Sequence, residues 1–139
     1  MFLVLDTNVL FSFFKRAKVF RLVSKLSRKG AKLLVPNLMA DELKILRPKI
    51  LRYSKLSEKE LNEVFETLFS LIKPIEEDKY LRFLEEAKKI SPHKKDIPLF
   101  ALSLAFNKAP IWSREAKLKR QKLIKVLTDK EVEDLLKSK

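Results

Sequence analysis

Short apolar runs alternate along the chain with longer stretches in which hydrophobic residues recur every three or four positions. Residues 2–5 (FLVL) form an unbroken apolar run that stops at Asp6, which is typical of a strand buried on both faces. Residues 32–36 (KLLVP) form a similar run. The pattern predicts three further short strands, at residues 74–75 (an edge strand), 110–112 and 123–127.

The segments between these runs carry helix signals. Val19, Leu22, Val23 and Leu26 repeat at helical spacing up to Gly30, a residue suited to the position just after a helix. Pro48 is expected to end one helix. Other predicted helix starts are Thr7 or Asn8, Asn37, Asp78, and the capping boxes Ser57–Glu60 and Thr128–Glu131. Residues 47–57 show the least regular pattern, which predicts a mobile loop, and residues 137–139 are expected to fray.

The most apolar helix follows Asp96. Asp96-Ile-Pro98 has the order of a helix start, and the LFALSLAF segment behind it is hydrophobic nearly all round. Such a helix is expected to be buried at the centre of the protein.

Short apolar strands that alternate with helices indicate a three-layer α/β/α sandwich with a mostly parallel central sheet of about five strands. The 139 residues contain no repeat, linker or low-complexity segment. We therefore expect a single domain over residues 1–139.

The charge balance indicates a polyanionic partner. The chain has 31 Lys and Arg against 18 Asp and Glu, a net charge of +13. The absence of Cys excludes disulfides and thiol chemistry, and a single His, His93, makes a histidine-rich metal site improbable.

Two observations argue against a membrane partner. The longest apolar stretch, residues 97–106, has ten residues, whereas a spanning helix needs about 20. The N-terminus lacks a basic region and places Asp6 inside its apolar run, which is wrong for a signal peptide. The sequence thus predicts a cytoplasmic protein.

The positions of the acidic residues are the most informative chemical feature. Residues 1–57 contain 13 basic and only 3 acidic residues. Asp6 and Glu115 each follow a predicted strand, and Glu42 lies about one turn into the helix after the second strand. Residues that follow parallel strands lie at one edge of the sheet, where ligands bind. Asp96 joins them if the buried helix packs beside the first strand.

Gathered carboxylates repel one another unless a cation neutralises them. Oxygen ligands alone suit a hard ion such as Mg²⁺ or Mn²⁺. An acidic metal pocket inside a basic surface is the electrostatic arrangement of a metal-dependent phosphodiesterase.

Four segments resemble the PIN domain family of small α/β ribonucleases, which includes the VapC toxins of toxin–antitoxin pairs. They are LDTNVL (5–10), LVPNLMADEL (34–43), KDIPLFALSLAFNKAPIWS (95–113) and REAKL (114–118). The resemblance extends over nearly the whole chain, and the third segment is its strongest part.

The resemblance implies roles for individual residues. Asp6, Glu42 and Asp96 correspond to the main metal-binding carboxylates, and Glu115 takes the place of a fourth catalytic acid that is normally Asp. Thr7 and Ser113 match hydroxyl positions that support the cluster. Two residues depart from the family, since His93 and Lys95 stand where similar sequences often carry Asp.

The basic residues near these acids are candidates for RNA binding. They are Lys15, Arg16, Arg114, Lys117, Lys119 and Arg120. Arg114 has a second interpretation, because it stands beside Glu115 and its charge can neutralise that carboxylate.

The sequence thus predicts a ribonuclease that depends on Mg²⁺ or Mn²⁺ and hydrolyses RNA phosphodiester bonds without a covalent intermediate. By family analogy it is the toxin of a toxin–antitoxin pair, with an antitoxin partner and a homodimeric assembly. The alternative is a weakly active or inactive PIN-like domain that binds RNA or a protein. A phosphotransfer enzyme is a more distant rival, because haloacid-dehalogenase-like enzymes need a second Asp where this chain has Asn8.

Overall fold

A five-stranded, entirely parallel sheet forms the centre of the protein. The computed structural model describes residues 1–137. The strands are β1 (Phe2–Leu5), β2 (Lys32–Pro36), β3 (Ile72–Ile75), β4 (Ile111–Trp112) and β5 (Val126–Leu127). Their order in the sheet is β3-β2-β1-β4-β5. The predicted α/β class and the parallel sheet of five strands are confirmed, and the 74–75 segment belongs to an edge strand.

Helices fill the connections between the strands. They are α1 (Thr7–Phe13), α2 (Ala17–Arg28), α3 (Asn37–Ile45), α4 (Arg47–Ser54), α5 (Glu58–Leu71), α6 (Leu84–Ile90), α7 (Ile97–Ala105) and α8 (Asp129–Lys137). Within residues 1–137, no helix combines the length and the apolar character needed to cross a membrane.

Strand β1 lies in the middle of the sheet, and its position determines where a ligand can bind. Leu3, Val4 and Leu5 are completely buried, as an unbroken apolar run predicts for a central parallel strand. Val4 is in register with Leu34 of β2 on one side and Ile111 of β4 on the other. Because the chain order reverses at β1, a crevice is expected outside its carboxyl end.

Helix α7 is the buried helix that the sequence predicts. All six residues from Leu99 to Leu104 are buried, and the helix packs against β1 and β2. Ser103, the polar residue among them, donates a hydrogen bond to the carbonyl of Ala109. Pro98 lies in the first turn, where its missing N–H costs no hydrogen bond. The packing of α7 brings its N-terminus to the carboxyl edge of the sheet.

Most of the predicted helix ends agree with the structure. Both capping boxes form, with Ser57 and Glu60 at α5 and with Thr128 and Glu131 at α8. Gly30 adopts a positive φ of 89° just after α2. At α1, however, the N-cap is Asp6 rather than Thr7 or Asn8. At α3 the N-cap is Pro36, which has no capping side chain, and Asn37 is the first residue of the helix.

Residues 47–57 correct the prediction of a mobile loop, since most of them form α4. Pro48 stands in the first turn of this helix, so it begins α4 as well as following α3. Ile50 anchors the helix because it is completely buried. Lys55 then ends it in the left-handed conformation.

The helix predicted from Asp78 and the fraying predicted for residues 137–139 are two further expectations to compare with the structure. The helix predicted from Asp78 begins only at Leu84, after two short 3₁₀ turns at Glu77–Lys79 and Leu81–Phe83. Of the residues expected to fray, Lys137 is the last residue of α8, and residues 138–139 lie outside the described part of the chain.

The burial of Ile50 gives a direct test of α4. Ile50→Ala should lower the free energy of unfolding by about 2–5 kcal/mol, because it leaves a cavity in the core. The matched control is Ile45→Ala on α3, whose side chain is 76% exposed and should change stability by less than about 0.5 kcal/mol. Urea unfolding followed by circular dichroism measures both, and equal effects would contradict the placement of α4.

Candidate active site

Asp6 occupies the carboxyl end of the central strand and is held by two hydrogen bonds. Its Oδ1 accepts the backbone N–H of Thr7 at 2.6 Å. Its Oδ2 accepts the hydroxyl of Ser113, which follows β4, at 2.7 Å. Asp6 is only 7% exposed and Ser113 only 2%. The pair joins the ends of two adjacent strands, so the orientation of the Asp6 carboxylate is fixed by the sheet itself.

Asp96 lies at the same edge of the sheet, but it comes from the start of helix α7 and not from the end of a strand. It immediately precedes α7 and is 5% exposed. Its Oδ2 is buried and has no hydrogen-bond partner within residues 1–137. Buried carboxylate oxygens are normally hydrogen-bonded or bound to a cation. This oxygen is therefore a strong indication of a ligand that the protein itself does not supply.

One cavity of about 320 Å³ brings the four predicted acids together. Its lining consists of Asp6, Thr7, Asn8, Phe11, Met39, Glu42, Lys95, Asp96 and Glu115. Glu42 reaches it from α3, whereas the adjacent Asp41 does not line it and instead contacts Asn37 at 3.5 Å. Glu115 lies just beyond Ser113, whose hydroxyl accepts the Glu115 backbone N–H.

Burial and mutual repulsion make this cavity unfavourable for negative charge. Burial raises the pKa of the Asp6 carboxyl, and the hydrogen bonds from Ser113 and Thr7 oppose that rise. The nearby charges of Asp96 and Glu115 raise this pKa further. Burial likewise raises the pKa of Asp96, and Glu115 adds to that effect.

Basic side chains balance part of the negative charge. Lys117, His93 and Lys95 lower the pKa of Asp96 and so oppose the increase that burial causes. The Lys117 ammonium also lies 3.8 Å from Oε2 of Glu115. In residues 1–137, no three side chains of the Asp, Glu or His type are grouped closely enough to hold one metal ion as they stand.

The predicted RNA-binding residues differ in how free their charges are. The Arg114 guanidinium donates to the Ser12 hydroxyl at 2.7 Å and lies 3.6 Å from Asp129. The Lys119 ammonium donates to Glu131 at 2.7 Å. Lys119 is the main cause that lowers the pKa of Glu131 to about 2. Lys15, Arg16 and Arg120 are also exposed, but within residues 1–137 their side chains form no hydrogen bond or ion pair.

Two features of the site were missed by reasoning from the sequence. Asn8 lines the cavity, and the available signal was its position directly beside predicted site residues. Asp129 accepts the indole N–H of Trp112 at 2.9 Å and also faces Arg114. No local pattern in the sequence indicates these contacts, because Asp129 belongs to a different element.

A parallel sheet with carboxylates gathered outside its central strand defines an α/β protein with an acidic site at the switch point. The family model of the PIN domain matches residues 4–135, and the chain belongs to this family. The predicted resemblance is therefore confirmed. PIN domains are generally nucleases and typically depend on a divalent metal.

Comparison with solved structures agrees with this assignment at the level of the fold. The chain is similar to one in the VapBC2 complex of Rickettsia felis bound to a DNA fragment from its promoter. The two share 17% identity with a TM-score of 0.69, over 92% of this chain and 98% of the other. No curated protein matches the sequence significantly.

The unpaired oxygen of Asp96 predicts a stability effect that depends on pH. In metal-free buffer at pH 7, Asp96→Asn should raise the free energy of unfolding by about 0.5–2 kcal/mol, because it removes a buried charge and loses no hydrogen bond. Since burial raises the pKa of folded Asp96 above its ordinary 3.8, the gain should shrink as pH falls through the folded value. It should vanish below about 3.8, where both states of the wild type are protonated.

Urea titrations of wild type and Asp96→Asn between pH 3 and pH 8 provide the measurement. Added Mn²⁺ should stabilise the wild type and leave the variant unchanged. A variant less stable than the wild type at pH 7 would show that Asp96 makes a structural bond.

Proposed function

We propose that the protein is a ribonuclease that depends on a divalent metal and hydrolyses RNA phosphodiester bonds. The observation that carries the proposal is the buried Oδ2 of Asp96, which has no hydrogen-bond partner among residues 1–137 and lies in a cavity that three other acids share. Four separate segments of the chain contribute these acids. Gathered carboxylates repel one another and so destabilise the folded state, and such a destabilising cluster is typical of a functional site.

The donor set fits a hard divalent cation. Asp6, Glu42 and Asp96 would hold one or two Mg²⁺ or Mn²⁺ ions, since all their donor atoms are carboxylate oxygens. Glu115 would complete or orient the site. Asp6 and Asp96 are buried, while Glu42 and Glu115 are exposed and carry long side chains that can turn towards a cation.

The chain's own residues would prepare the site for hydrolysis. A divalent cation, when bound, supplies charge neutralisation at the phosphate and a more acidic water. The Ser113 hydroxyl and the Thr7 backbone N–H keep the Asp6 carboxylate oriented through their hydrogen bonds. Lys95 lines the cavity and Lys117 lies next to Glu115, so both ammonium groups can contact phosphate oxygens of the RNA.

RNA is the substrate that the charge distribution favours. The net charge of +13 provides non-specific attraction to a phosphate backbone. We propose that Lys15, Arg16, Lys117 and Arg120 contact the RNA directly. Arg114 and Lys119, which hold Asp129 and Glu131, would contribute mainly through their positive potential.

The biological role proposed is that of a toxin in a toxin–antitoxin pair. The support is membership of the PIN domain family and the similarity in fold to a chain of VapBC2, a toxin–antitoxin complex. We propose an antitoxin protein that covers the acidic cavity, a homodimeric assembly, and action in the cytoplasm as a single domain.

Asp96→Asn is the sharpest test of catalysis. It should lower the rate of RNA cleavage in Mn²⁺ by at least about a hundredfold, because the cavity loses a buried ligand carboxylate. The matched control is Asp41→Asn, which removes a nearby carboxylate that does not line the cavity, and it should cleave at the wild-type rate. Gel analysis of an end-labelled RNA measures cleavage, with melting temperatures recorded for both variants. Cleavage by Asp96→Asn at the wild-type rate would refute the assignment.

A second candidate function is a PIN domain that binds RNA or protein without cutting it. Two observations favour it. Glu115 is one methylene longer than the expected Asp and faces the ammonium of Lys117. The described residues also contain no cluster of three acids already arranged around a metal position.

Glu115→Asp separates the two candidates. The shorter carboxylate cannot reach Lys117 as easily, so it should be freer to serve the metal site, and we expect cleavage in Mn²⁺ to increase about two- to tenfold. The control is Glu85→Asp, which shortens a carboxylate that pairs only with Lys88 among the contacts within residues 1–137. If neither the wild type nor Glu115→Asp cleaves RNA at millimolar Mn²⁺, the binding function is favoured.

A further inference from the structure

We propose that a groove between α2 and α8 is a second RNA-binding surface, which holds the phosphate backbone away from the acidic cavity. The inference rests on the proposed function, since it extends the binding of the same RNA. The groove has a volume of about 420 Å³, and among residues 1–137 six cations and one acid contribute to its lining. The cations are Lys18, Arg21, Lys25, Arg28, Lys29 and Lys137.

Helix α2 carries this charge without any acid of its own. Lys18, Arg21, Lys25 and Arg28 are spaced by three or four residues, so they share one face of the helix. Like charges at this spacing destabilise a helix. The arrangement therefore has a cost for folding, whereas the exposed face of α5 mixes acids with lysine.

The acids of α8 neutralise little of this charge. Within the described part of the chain, Glu133 is the one acid in the groove, and it lies 3.6 Å from Lys18. The other acids of α8 face elsewhere. Asp129 lies beside Arg114, Glu131 beside Lys119, and Asp134 beside Lys130. Arg21, Lys25 and Arg28 are exposed, and within residues 1–137 their side chains have no hydrogen bond or ion pair.

The shape of the surface favours a nucleic-acid strand over a membrane. A helix that binds a membrane inserts its apolar face, but the apolar face of α2 is already used in the core, where Val19, Leu22, Val23 and Leu26 are at most 5% exposed. The 12 residues of α2 extend about 18 Å, with one cation per turn of about 5.4 Å. A regular row of point charges suits the repeating phosphates of a strand.

A short series of hydrogen bonds joins the segment after Ser113 to the start of α2, the helix that lines the groove. Arg114, just beyond Ser113, donates to the Ser12 hydroxyl in α1. The backbone N–H of Arg16 donates to the Ser12 carbonyl at 2.8 Å, and α2 begins at the next residue. A strand that leaves the cavity past Arg114 and Arg16 would thus meet the cations of α2.

The test compares two triple variants that remove equal charge. One is Arg21→Gln, Lys25→Gln and Arg28→Gln. The control is Lys59→Gln, Lys73→Gln and Lys79→Gln, three exposed lysines on α5, on β3 at the far edge of the sheet, and in the following 3₁₀ turn. Fluorescence anisotropy with a labelled single-stranded RNA of about 20 nucleotides measures Kd in EDTA at several salt concentrations, which separates binding from cleavage.

The α2 variant should weaken RNA binding about tenfold or more near 0.1 M salt, and the slope of log K against log salt should fall in magnitude by about 2, or about 0.7 per lost phosphate contact. The control should bind within about twofold of the wild type. Circular dichroism checks folding. If the triple variant does not fold, Arg21→Gln alone should reduce the slope by about 0.7.

Three results of the RNA measurement would overturn the inference: no RNA binding by the wild type, equal weakening in both triple variants, or wild-type binding by the α2 variant. Binding of a polyglutamate peptide, but not RNA, that depends on the α2 cations would show an acidic protein as the partner and would also overturn it. If the α2 variant binds RNA normally while Asp96→Asn stops cleavage, only the groove is wrong. If the groove binds RNA and no metal-dependent cleavage occurs, only the proposed function fails.

Discussion

The contact between Asp6 and Ser113 is the constraint on which the site depends. Asp6 ends the central strand and Ser113 follows the strand beside it, so their 2.7 Å hydrogen bond joins two neighbouring crossovers at the switch point of the sheet. The same carboxylate caps α1 through Thr7. A residue proposed to bind metal therefore also caps the first helix, and two hydrogen bonds hold its carboxylate.

Around this fixed carboxylate, the protein concentrates negative charge in a cavity and positive charge outside it. Asp96 and Glu115 raise the pKa of Asp6, beyond the effect of burial, because like charges oppose ionisation in a poorly solvated site. The surrounding surface is strongly basic, and α2 contributes a row of cations in which, among residues 1–137, only Lys18 is paired with an acid. This separation suits a polyanion that needs long-range attraction and a locally neutralised phosphate.

Much of the fold could be predicted from the sequence because its signals are local. Apolar runs located all five strands, and the capping boxes at Ser57 and Thr128 located the starts of α5 and α8. Residues 47–57 were misread, because Pro48 is compatible with either the end or the start of a helix. Only the burial of Ile50 in the core decides that Pro48 starts a helix.

The sequence predicts which acids form the site, but not which contacts the side chains of the site make. The rule that residues after parallel strands meet at one edge sufficed to select Asp6, Glu42 and Glu115, because it depends only on strand order and direction. Asp96 was expected to join them only if the buried helix packs beside β1, and α7 does pack there. Tertiary structure alone decided that Oδ2 of Asp96 has no partner within residues 1–137. It also decided that Arg114 turns to Asp129. These outcomes depend on side chains from distant segments that compete for one another in three dimensions, and local sequence does not encode which pairing has the lowest free energy.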